Sequence, residues 1–346
     1  MKLKIIFTLT FIPILILVMM YVRFRSPEVF IKENQPEETS GKRHYAFLMK
    51  ESASFQYPGS MIGPWQEFGG NLYVHDQVDQ VTYKLSSMGS FLDTLGRKGS
   101  APWQNQQVCQ MHVTQAGLYY LDNGLMTAKE LNHTGVPILY KKHDELFWDG
   151  LHLDDQRYLM LNDESMSFGF YLWNSKNGNK GALMRLDSLY ETDINDNLHI
   201  AFEGEMVQGN SFHYYVCSRA GLFFSFKSNG TFHAKAETLD QTKPPEIVER
   251  TYNNLTMFER QPDEIVNYAA TSDGKNLLVL STIAFEETDK LSIDKYDPEG
   301  RYLGSMLVPN HRDNFPVSIM TGSESSIWVL YEDLYIIRYD LIRIPA

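Results

Sequence analysis

Beyond residue 50 the amino-acid sequence predicts an all-β protein. Aromatic residues make up 13% of the 346-residue chain, with 20 Tyr and 20 Phe, and these side chains are enriched in strands. Helical periodicity is nearly absent after residue 50, whereas short runs that alternate apolar and polar residues are frequent. Hydrophobic residues account for 43% of the chain, which is enough for a sizeable buried core.

Six short apolar runs recur in this part of the chain and predict six equivalent strands. They are "NLYVH" (71–75), "GLYYL" (117–121), "RYLML" (157–161), "FHYYVC" (212–217), "NLLVL" (276–280) and "SIWVL" (326–330). Most of them are followed by a polar turn that contains a glycine and leads into another alternating run. These glycines are Gly89, Gly135, Gly181, Gly230 and Gly300, separated by 46, 46, 49 and 70 residues.

Repeats of roughly 40 to 50 residues with several short strands each are typical of a β-propeller. Each blade is a four-stranded antiparallel sheet that cannot bury both of its faces alone, so the blades stack around a common axis. The six runs therefore predict a six-bladed β-propeller over residues 43–346. An open sandwich of many strands is the alternative.

The two ends of this region predict how the ring closes. The chain finishes in a strand pair over residues 335–346, which leaves the last blade without a fourth strand. Near the start, "RHYAFLMK" (43–50) is a strand without a blade of its own. Its pairing with the last blade would remove an exposed sheet edge.

Three stretches resemble known propellers. "GSFLDTLGRKGSAPWQ" (89–104) resembles the link between blades in NHL-repeat-like six-bladed propellers, except at Trp103 and Gln104, where that family tends to have Gly-Glu. "TSDGKNLLVL" (271–280) and "IDKYDPEGRYLGSM" (293–306) are similar to a turn and a strand pair of TolB-like propellers. The resemblance implies the fold and not a chemistry.

The stretch "GRKGSAPWQ" (96–104) is accordingly interpreted as a joint between blades. A phosphate-binding loop needs its glycines before a helix N-terminus, whereas the "NQQVCQMHV" that follows alternates like a strand. We expect Lys98 to be solvated and Trp103 to cover the seam to the next blade. Trp65, which also follows a proline, would do the same one blade earlier.

Residues 1–25 predict a membrane anchor. The run from Ile5 to Val22 is 18 residues without a charge, which as a helix would be about 27 Å long, close to the hydrocarbon core of roughly 30 Å. Bulky and basic residues follow it, so an uncleaved anchor is favoured over a cleaved signal peptide. The short basic N-terminal flank places the rest of the chain outside the cytoplasm, on the periplasmic side in a bacterium. Residues 26–42 predict a flexible linker.

The charge distribution excludes one class of partner. Residues 1–25 contribute +4 to the net charge of −12, so the rest of the chain carries −16. A nucleic-acid-binding protein needs a basic face, and we therefore expect no nucleic-acid partner. The acidic body also disfavours lying flat on anionic lipid.

The two cysteines, Cys109 and Cys217, lie in apolar strand-like runs of different blades. Two buried thiols are favoured over a disulfide, and Cys/His zinc spacing is absent. "DINDNLHI" (193–200) begins like a calcium loop but lacks the required Gly and Glu. We therefore predict neither a metal nor a cofactor.

Histidines and carboxylates occur together near several strand ends. They are His75, Asp76 and Asp79; His143, Asp144 and Glu145; and His152, Asp154 and Asp155. In a propeller such groups can converge at the central channel, together with His112 and His199. Strand-end Asp residues also commonly make turn hydrogen bonds. No known catalytic sequence motif is present, so the sequence assigns no catalytic residue and leaves the binding residues unknown.

Residues 241–265 fit no strand pattern and explain the interval of 70 residues between glycines. They predict an inter-blade insertion, either a plain surface loop or a functional lid. The leading functional hypothesis is a membrane-anchored extracytoplasmic propeller that binds a ligand or protein, or acts as a scaffold. The alternative is a hydrolase or lyase with a His/Asp site at the channel mouth. A third is a structural partner in an envelope complex that uses this insertion.

Overall fold

The computed structural model describes residues 43–344, except for residues 155, 165–166, 187–197, 253–254, 283–289 and 324. The predicted span over residues 5–22 and the linker over residues 26–42 lie outside the described residues. Between residues 43 and 344, none of the described helices combines the length and the apolar character needed to cross a bilayer.

The described residues form six four-stranded antiparallel sheets, so the predicted six-bladed β-propeller is confirmed. Blade 1 consists of β2 (Ile62–Phe68), β3 (Asn71–Asp76), β4 (Val81–Ser86) and β5 (Phe91–Leu95). Blade 2 consists of β6 (Val108–Val113), β7 (Leu118–Asp122), β8 (Thr127–Leu131) and β9 (Pro137–Lys142). Blade 3 consists of β10 (Asp149–Asp154), β11 (Arg157–Glu164), β12 (Ser167–Asn174) and β13 (Lys180–Arg185).

The second half of the ring has the same order. Blade 4 consists of β14 (Gly204–Val207), β15 (Phe212–Cys217), β16 (Leu222–Lys227) and β17 (Phe232–Glu237). Blade 5 consists of β20 (Asn267–Ser272), β21 (Leu277–Ser281), β22 (Ser292–Tyr296) and β23 (Tyr302–Leu307). Blade 6 consists of β24 (Pro316–Thr321), β25 (Ser326–Tyr331), β26 (Tyr335–Arg343) and β1 (Phe47–Gln56). A single helical turn over Leu198–Ala201 precedes blade 4.

The ring closes through the predicted pairing of its two ends. Strand β1 from the start of the chain lies antiparallel to β26, with Phe47 opposite Arg343 and Gln56 opposite Tyr335. Blade 6 therefore combines both ends of the described chain in one sheet. This pairing covers an edge of β26 that would otherwise be open to other strands.

The hydrophobic core lies in the seams between blades. Within the described residues, six buried clusters each combine side chains from two neighbouring blades. The six apolar runs found in the sequence are the second strands of the blades. Strand β21 is buried along its whole length because both of its faces meet a neighbouring blade. Such strands read as continuous apolar runs.

Four of the five periodic glycines occupy the predicted hairpin turns. Gly89, Gly135, Gly230 and Gly300 have φ values of 78°, 76°, 83° and 91° in the turn between the third and fourth strands. This left-handed region is accessible mainly to glycine. In blade 3 the prediction was three residues off, because Gly181 lies within β13 and Gly178, with φ of 71°, makes the turn.

Residues 241–265 contain a β-hairpin between blades 4 and 5. Strands β18 (Glu246–Tyr252) and β19 (Leu255–Gln261) pair in register from Glu246 opposite Gln261 to Tyr252 opposite Leu255. The expectation that this segment contains no strand was therefore wrong. Because β19 is largely exposed along its length, its sequence lacks the alternation that marks a half-buried strand.

A buried ion triad fixes the point where the chain enters the propeller. The Arg43 guanidinium lies 2.7 Å from Asp240 and 2.9 Å from Asp294, and all three side chains are at most 6% exposed. The hydroxyl of Ser281 lies 3.0 Å from the Asp240 carboxylate. Removing one member of such a group leaves the others charged, buried and unpaired, which is costly.

We expect Arg43→Met to lower the free energy of unfolding by about 3–5 kcal/mol, because two buried carboxylates lose their counter-ion. Urea unfolding of the full chain in detergent measures this change. The control is Arg157→Met, which removes an exposed pair with Asp154 and should cost no more than about 1 kcal/mol. Equal losses for the two variants would contradict the prediction.

Candidate functional site

The first strands of the six blades surround a central channel of about 1360 Å³. Each first strand contacts the first strands of the two neighbouring blades. Polar side chains from these strands line much of the channel wall. Each first strand is also the edge of its sheet, so its backbone has no strand partner on the channel side. Unpaired backbone N–H groups inside a protein need another acceptor.

Side chains of neighbouring blades supply these acceptors. Each accepting side chain lies on one first strand and takes a backbone N–H from the first strand of the next blade. The pairs are Gln66 with Val113 (2.7 Å), Asp149 with Met206 (2.9 Å), Glu205 with Ala270, and Thr271 with Thr321 (3.2 Å). The channel wall is thus held together from blade to blade by polar side chains.

Two of these groups, Asp149 and Glu205, are half-buried carboxyls in the channel wall. Burial raises the pKa of Asp149 to about 7, although Met206, Gly150 and Gln110 donate hydrogen bonds that oppose the rise. Burial raises the pKa of Glu205 to about 8, and the nearby charge of Asp149 contributes to the increase.

The strand-end group at His75 and Asp76 is structural. The Asp76 carboxylate accepts backbone hydrogen bonds from Ser60 (2.7 Å), Met61 (3.1 Å), Val78 (2.9 Å) and Asp79 (2.8 Å). Burial alone would raise the pKa of Asp76, but these donors outweigh burial and lower it. His75 lies within blade 1 beside Thr82 (3.2 Å), and burial lowers its pKa to about 4.

Asp122 has the same role in blade 2, and the sequence analysis missed it. Its carboxylate accepts backbone hydrogen bonds from Gln106 (2.9 Å) and Gln107 (3.1 Å) and pairs with the buried Lys129 ammonium at 2.7 Å. The sequence does hold a signal for this role, because the strand-end Asp of "YLD" (120–122) in blade 2 matches that of "VHD" (74–76) in blade 1.

The other two strand-end groups do not converge on the channel. His143 lies 3.0 Å from the Tyr171 hydroxyl between blades 2 and 3, and Glu145 pairs with Lys180 at 2.5 Å. Asp144 is exposed. Asp154 pairs with the exposed Arg157 on blade 3. Asp155, the calcium-like segment 193–197 and the side chain of His199 lie outside the described residues.

Histidines 112 and 152 do approach each other, across the seam between blades 2 and 3. Their ring centroids are 5.9 Å apart, and Tyr119 stacks on His152 at 3.7 Å with an interplanar angle of 13°. His112 lines the channel, and burial first, then His152 and His213, lower its pKa to about 4. In the part of the chain that the structure describes, no three His, Cys, Asp or Glu side chains are placed to hold a metal ion.

Residues 96–104 connect blade 1 to blade 2, as predicted, but their side chains do not make all of the predicted contacts. The Lys98 ammonium donates to the Val78 carbonyl oxygen at 2.9 Å, so it is not only solvated. Trp103 is 55% exposed and packs edge-on against Tyr140. Trp65 covers the seam one blade earlier as expected, because its indole N–H donates to Ser318 of blade 6 at 3.0 Å, but it does so from strand β2 and not from a joint.

The two cysteines are free thiols, as predicted. Cys217 is fully buried in blade 4, and Cys109 is half-buried beside the channel. Burial raises the pKa of both thiols. Both are consequently poor nucleophiles at neutral pH.

The raised pKa of Glu205 predicts a decrease in stability with rising pH. A carboxyl with a folded pKa above its unfolded value binds more protons in the folded state, so the free energy of unfolding falls as pH rises from about 4.5 to about 8. Glu205→Gln should make this fall shallower by up to about 1.4 kcal/mol per pH unit. Urea unfolding between pH 5 and pH 8 measures the slope, and Glu299→Gln, which removes an exposed carboxyl, is the charge-matched control. An unchanged slope in Glu205→Gln would contradict the assignment.

Comparison with known proteins supports the fold alone. No protein-family model matches the sequence, and no curated protein matches it significantly. A DUF4221 family member from Bacteroides vulgatus is similar in structure, with a TM-score of 0.56, 10% identity, and coverage of 87% of this chain and 100% of that one. A Bacteroides fragilis protein predicted to be exported has a TM-score of 0.50, 11% identity, and coverage of 90% and 98%.

Proposed function

We propose that this chain is a membrane-anchored, extracytoplasmic binding module that takes a ligand into the central channel of its propeller. The observation that carries the proposal is the channel of about 1360 Å³, which is lined by polar side chains of first strands around the ring. A concave site with convergent polar groups is the usual form of a ligand site.

The chemistry of the wall favours binding over catalysis. Gln66, Asp149 and Glu205 use their hydrogen-bonding atoms on backbone groups of the next blade. A general base must instead be free to reach a substrate proton. His112, with a pKa of about 4, is neutral at pH 7 and too weakly basic to remove a proton efficiently. Gln66, Asp149 and Glu205 are therefore committed to joining the blades and are not free to transfer a ligand's protons.

The alternative is a hydrolase or lyase with its site at the channel mouth. The specific observation in its favour is that the ring of His152 lies 5.9 Å from the ring of the channel-lining His112. His152 is stacked on Tyr119, however, and the carboxylates of Asp76 and Asp154 are used in a turn and in an exposed ion pair. Binding therefore remains the better supported function.

The cellular location follows from the N-terminal sequence and is part of the same proposal. Residues 5–22 would cross the membrane once, and residues 26–42 would connect them to the propeller. The charge of −16 on residues 26–346 keeps such a body soluble. The propeller would face the periplasm in a bacterium.

The anchor predicts that the full chain stays in the membrane fraction after an alkaline carbonate wash, because a spanning helix cannot be released without detergent. Immunoblotting of pellet and supernatant measures the distribution. A variant that lacks residues 5–22 should appear in the soluble fraction. Complete release of the unaltered chain by carbonate would rule out the anchor.

The channel predicts that a bulky side chain at its mouth weakens ligand retention. Asn210 is exposed and lines the channel, so Asn210→Trp should reduce a co-purifying small molecule at least about tenfold, equivalent to about 1.4 kcal/mol. Native mass spectrometry of the detergent-extracted full chain measures the bound fraction. Asn177→Trp, on an exposed turn of blade 3, is the control. Equal retention by both variants, or no retained molecule in the unaltered protein, would contradict the proposal.

A further inference from the structure

The carboxylates of the channel lining are already engaged by the protein. Among the described residues, four carboxylates line the channel, and each accepts a hydrogen bond or an ion pair from a neighbouring element. They are Glu67 with Ser323 and Trp328, Asp149 with Met206, Glu205 with Ala270, and Asp273 with Lys295. Arg343, the other cation of the lining, is exposed to solvent. An ionic ligand would compete with these partners or with water, so the lining does not favour recognition by charge.

Four glutamines also line the channel, and their amide N–H groups join neighbouring parts of the ring. Each donates to a backbone carbonyl oxygen of another blade. The pairs are Gln66 with Val113 (3.0 Å), Gln77 with Val108 (2.8 Å), Gln110 with Met206 (2.8 Å) and Gln208 with His152 (3.2 Å). The amide oxygen of Gln208 is buried and has no hydrogen-bond partner among the described residues. Gln208 therefore offers the channel an unused acceptor.

His112 supplies a second unused acceptor beside the first. Its Nδ1 is buried and has no hydrogen-bond partner in the described part of the chain. Burial lowers the pKa of His112 to about 4, so the ring is neutral at pH 7 and one of its nitrogens can accept a hydrogen bond. His112 and Gln208 lie on either side of His152, at 5.9 Å between the two rings and 3.2 Å from the amide nitrogen to the carbonyl oxygen. Buried acceptors without donors are unfavourable, so this place suits a ligand that donates hydrogen bonds.

Aromatic side chains occupy a different level of the same channel. Trp65 and Tyr268 line it, and Tyr268 is 43% exposed. Tyr268 is the second residue of β20, whereas His112 is the fifth of the six residues of β6. First strands run in the same direction because the blades repeat one strand order, and a six-residue strand is about 20 Å long. A ligand that reaches both levels is therefore elongated.

The size of the channel agrees with an elongated ligand. Its volume of about 1360 Å³ exceeds the roughly 300–1000 Å³ of sites for single drug-sized molecules. A peptide strand is disfavoured, because side chains of the neighbouring blade already take the channel-side N–H groups of Val113, Met206, Ala270 and Thr321. Binding by strand addition depends on such backbone groups being open.

We propose that the ligand of the channel is an oligosaccharide, an uncharged chain whose hydroxyls donate hydrogen bonds to Gln208 and His112 and whose sugar rings pack against Tyr268. The inference rests on the proposed function, because it names the chemical class of the ligand in the same channel. A sugar chain combines many hydroxyl donors with C–H faces that pack on aromatic rings. It carries no charge that would compete with the engaged carboxylates.

The composition of the retained molecule tests this class directly. The full chain is extracted in lauryldimethylamine oxide, which has no sugar headgroup, and is purified, denatured and ultrafiltered. The filtrate is hydrolysed in acid and analysed for monosaccharides by anion-exchange chromatography and for amino acids. Ultrafiltration keeps any covalently attached glycan with the protein. We expect neutral monosaccharides in at least equimolar amount with the protein, and no peptide.

A substitution tests where the chain binds. Gln208→Met keeps the length of the side chain but removes its hydrogen-bonding atoms, so the sugar retained per protein should fall about fivefold. The control is Gln115→Met, the same change on an exposed turn of blade 2 outside the channel lining. It should leave retention unchanged. Thermal unfolding of both variants checks that the folded fraction is equal before retention is compared.

The outcomes separate this inference from the proposed function. If a molecule is retained but contains no sugar, or is a peptide or a charged compound, the oligosaccharide is overturned and the binding function stands. Equal sugar retention by the two glutamine variants overturns the site at Gln208 and His112. If the unaltered protein retains no molecule, the binding function fails and this inference fails with it.

Discussion

The constraint on which the structure depends is that no blade can bury both of its faces alone. The buried clusters lie between blades, so each sheet acquires a core only when its neighbours are present. Closure of the ring through β1 and β26 is therefore a condition for every seam. The buried triad of Arg43, Asp240 and Asp294 holds the incoming chain where this closure begins.

The same requirement shapes the channel. First strands cannot pair with one another as sheets, so their channel-side N–H groups are satisfied by side chains such as Asp149 and Glu205. Polar residues are thereby placed around an enclosed space, which is also what a binding site requires. Burial raises the pKa values of the two carboxyls that join the blades, Asp149 and Glu205. The free energy of unfolding should consequently depend on pH.

The chain combines a repeated ring with segments that lie outside the repeat. The propeller offers a channel, while the N-terminal segment and the hairpin of β18 and β19 are additions outside the repeat. The described chain begins at Arg43, which pairs with Asp240, and the hairpin follows Asp240 in the chain.

The sequence alone determined the all-β class, the six blades and the ring closure, because the second strands are buried on both faces and their apolar runs recur with the repeat. It also indicated the turn glycines, since positive φ restricts the residue type. The hairpin and the blade-to-blade bonds of Gln66, Asp149 and Glu205 emerged only from the tertiary structure. Those bonds join residues that are far apart in the chain. The first strands carry polar residues toward the channel, so their sequences do not alternate regularly between apolar and polar residues. Only the closed ring brings them together, because each acceptor meets its donor on a different blade.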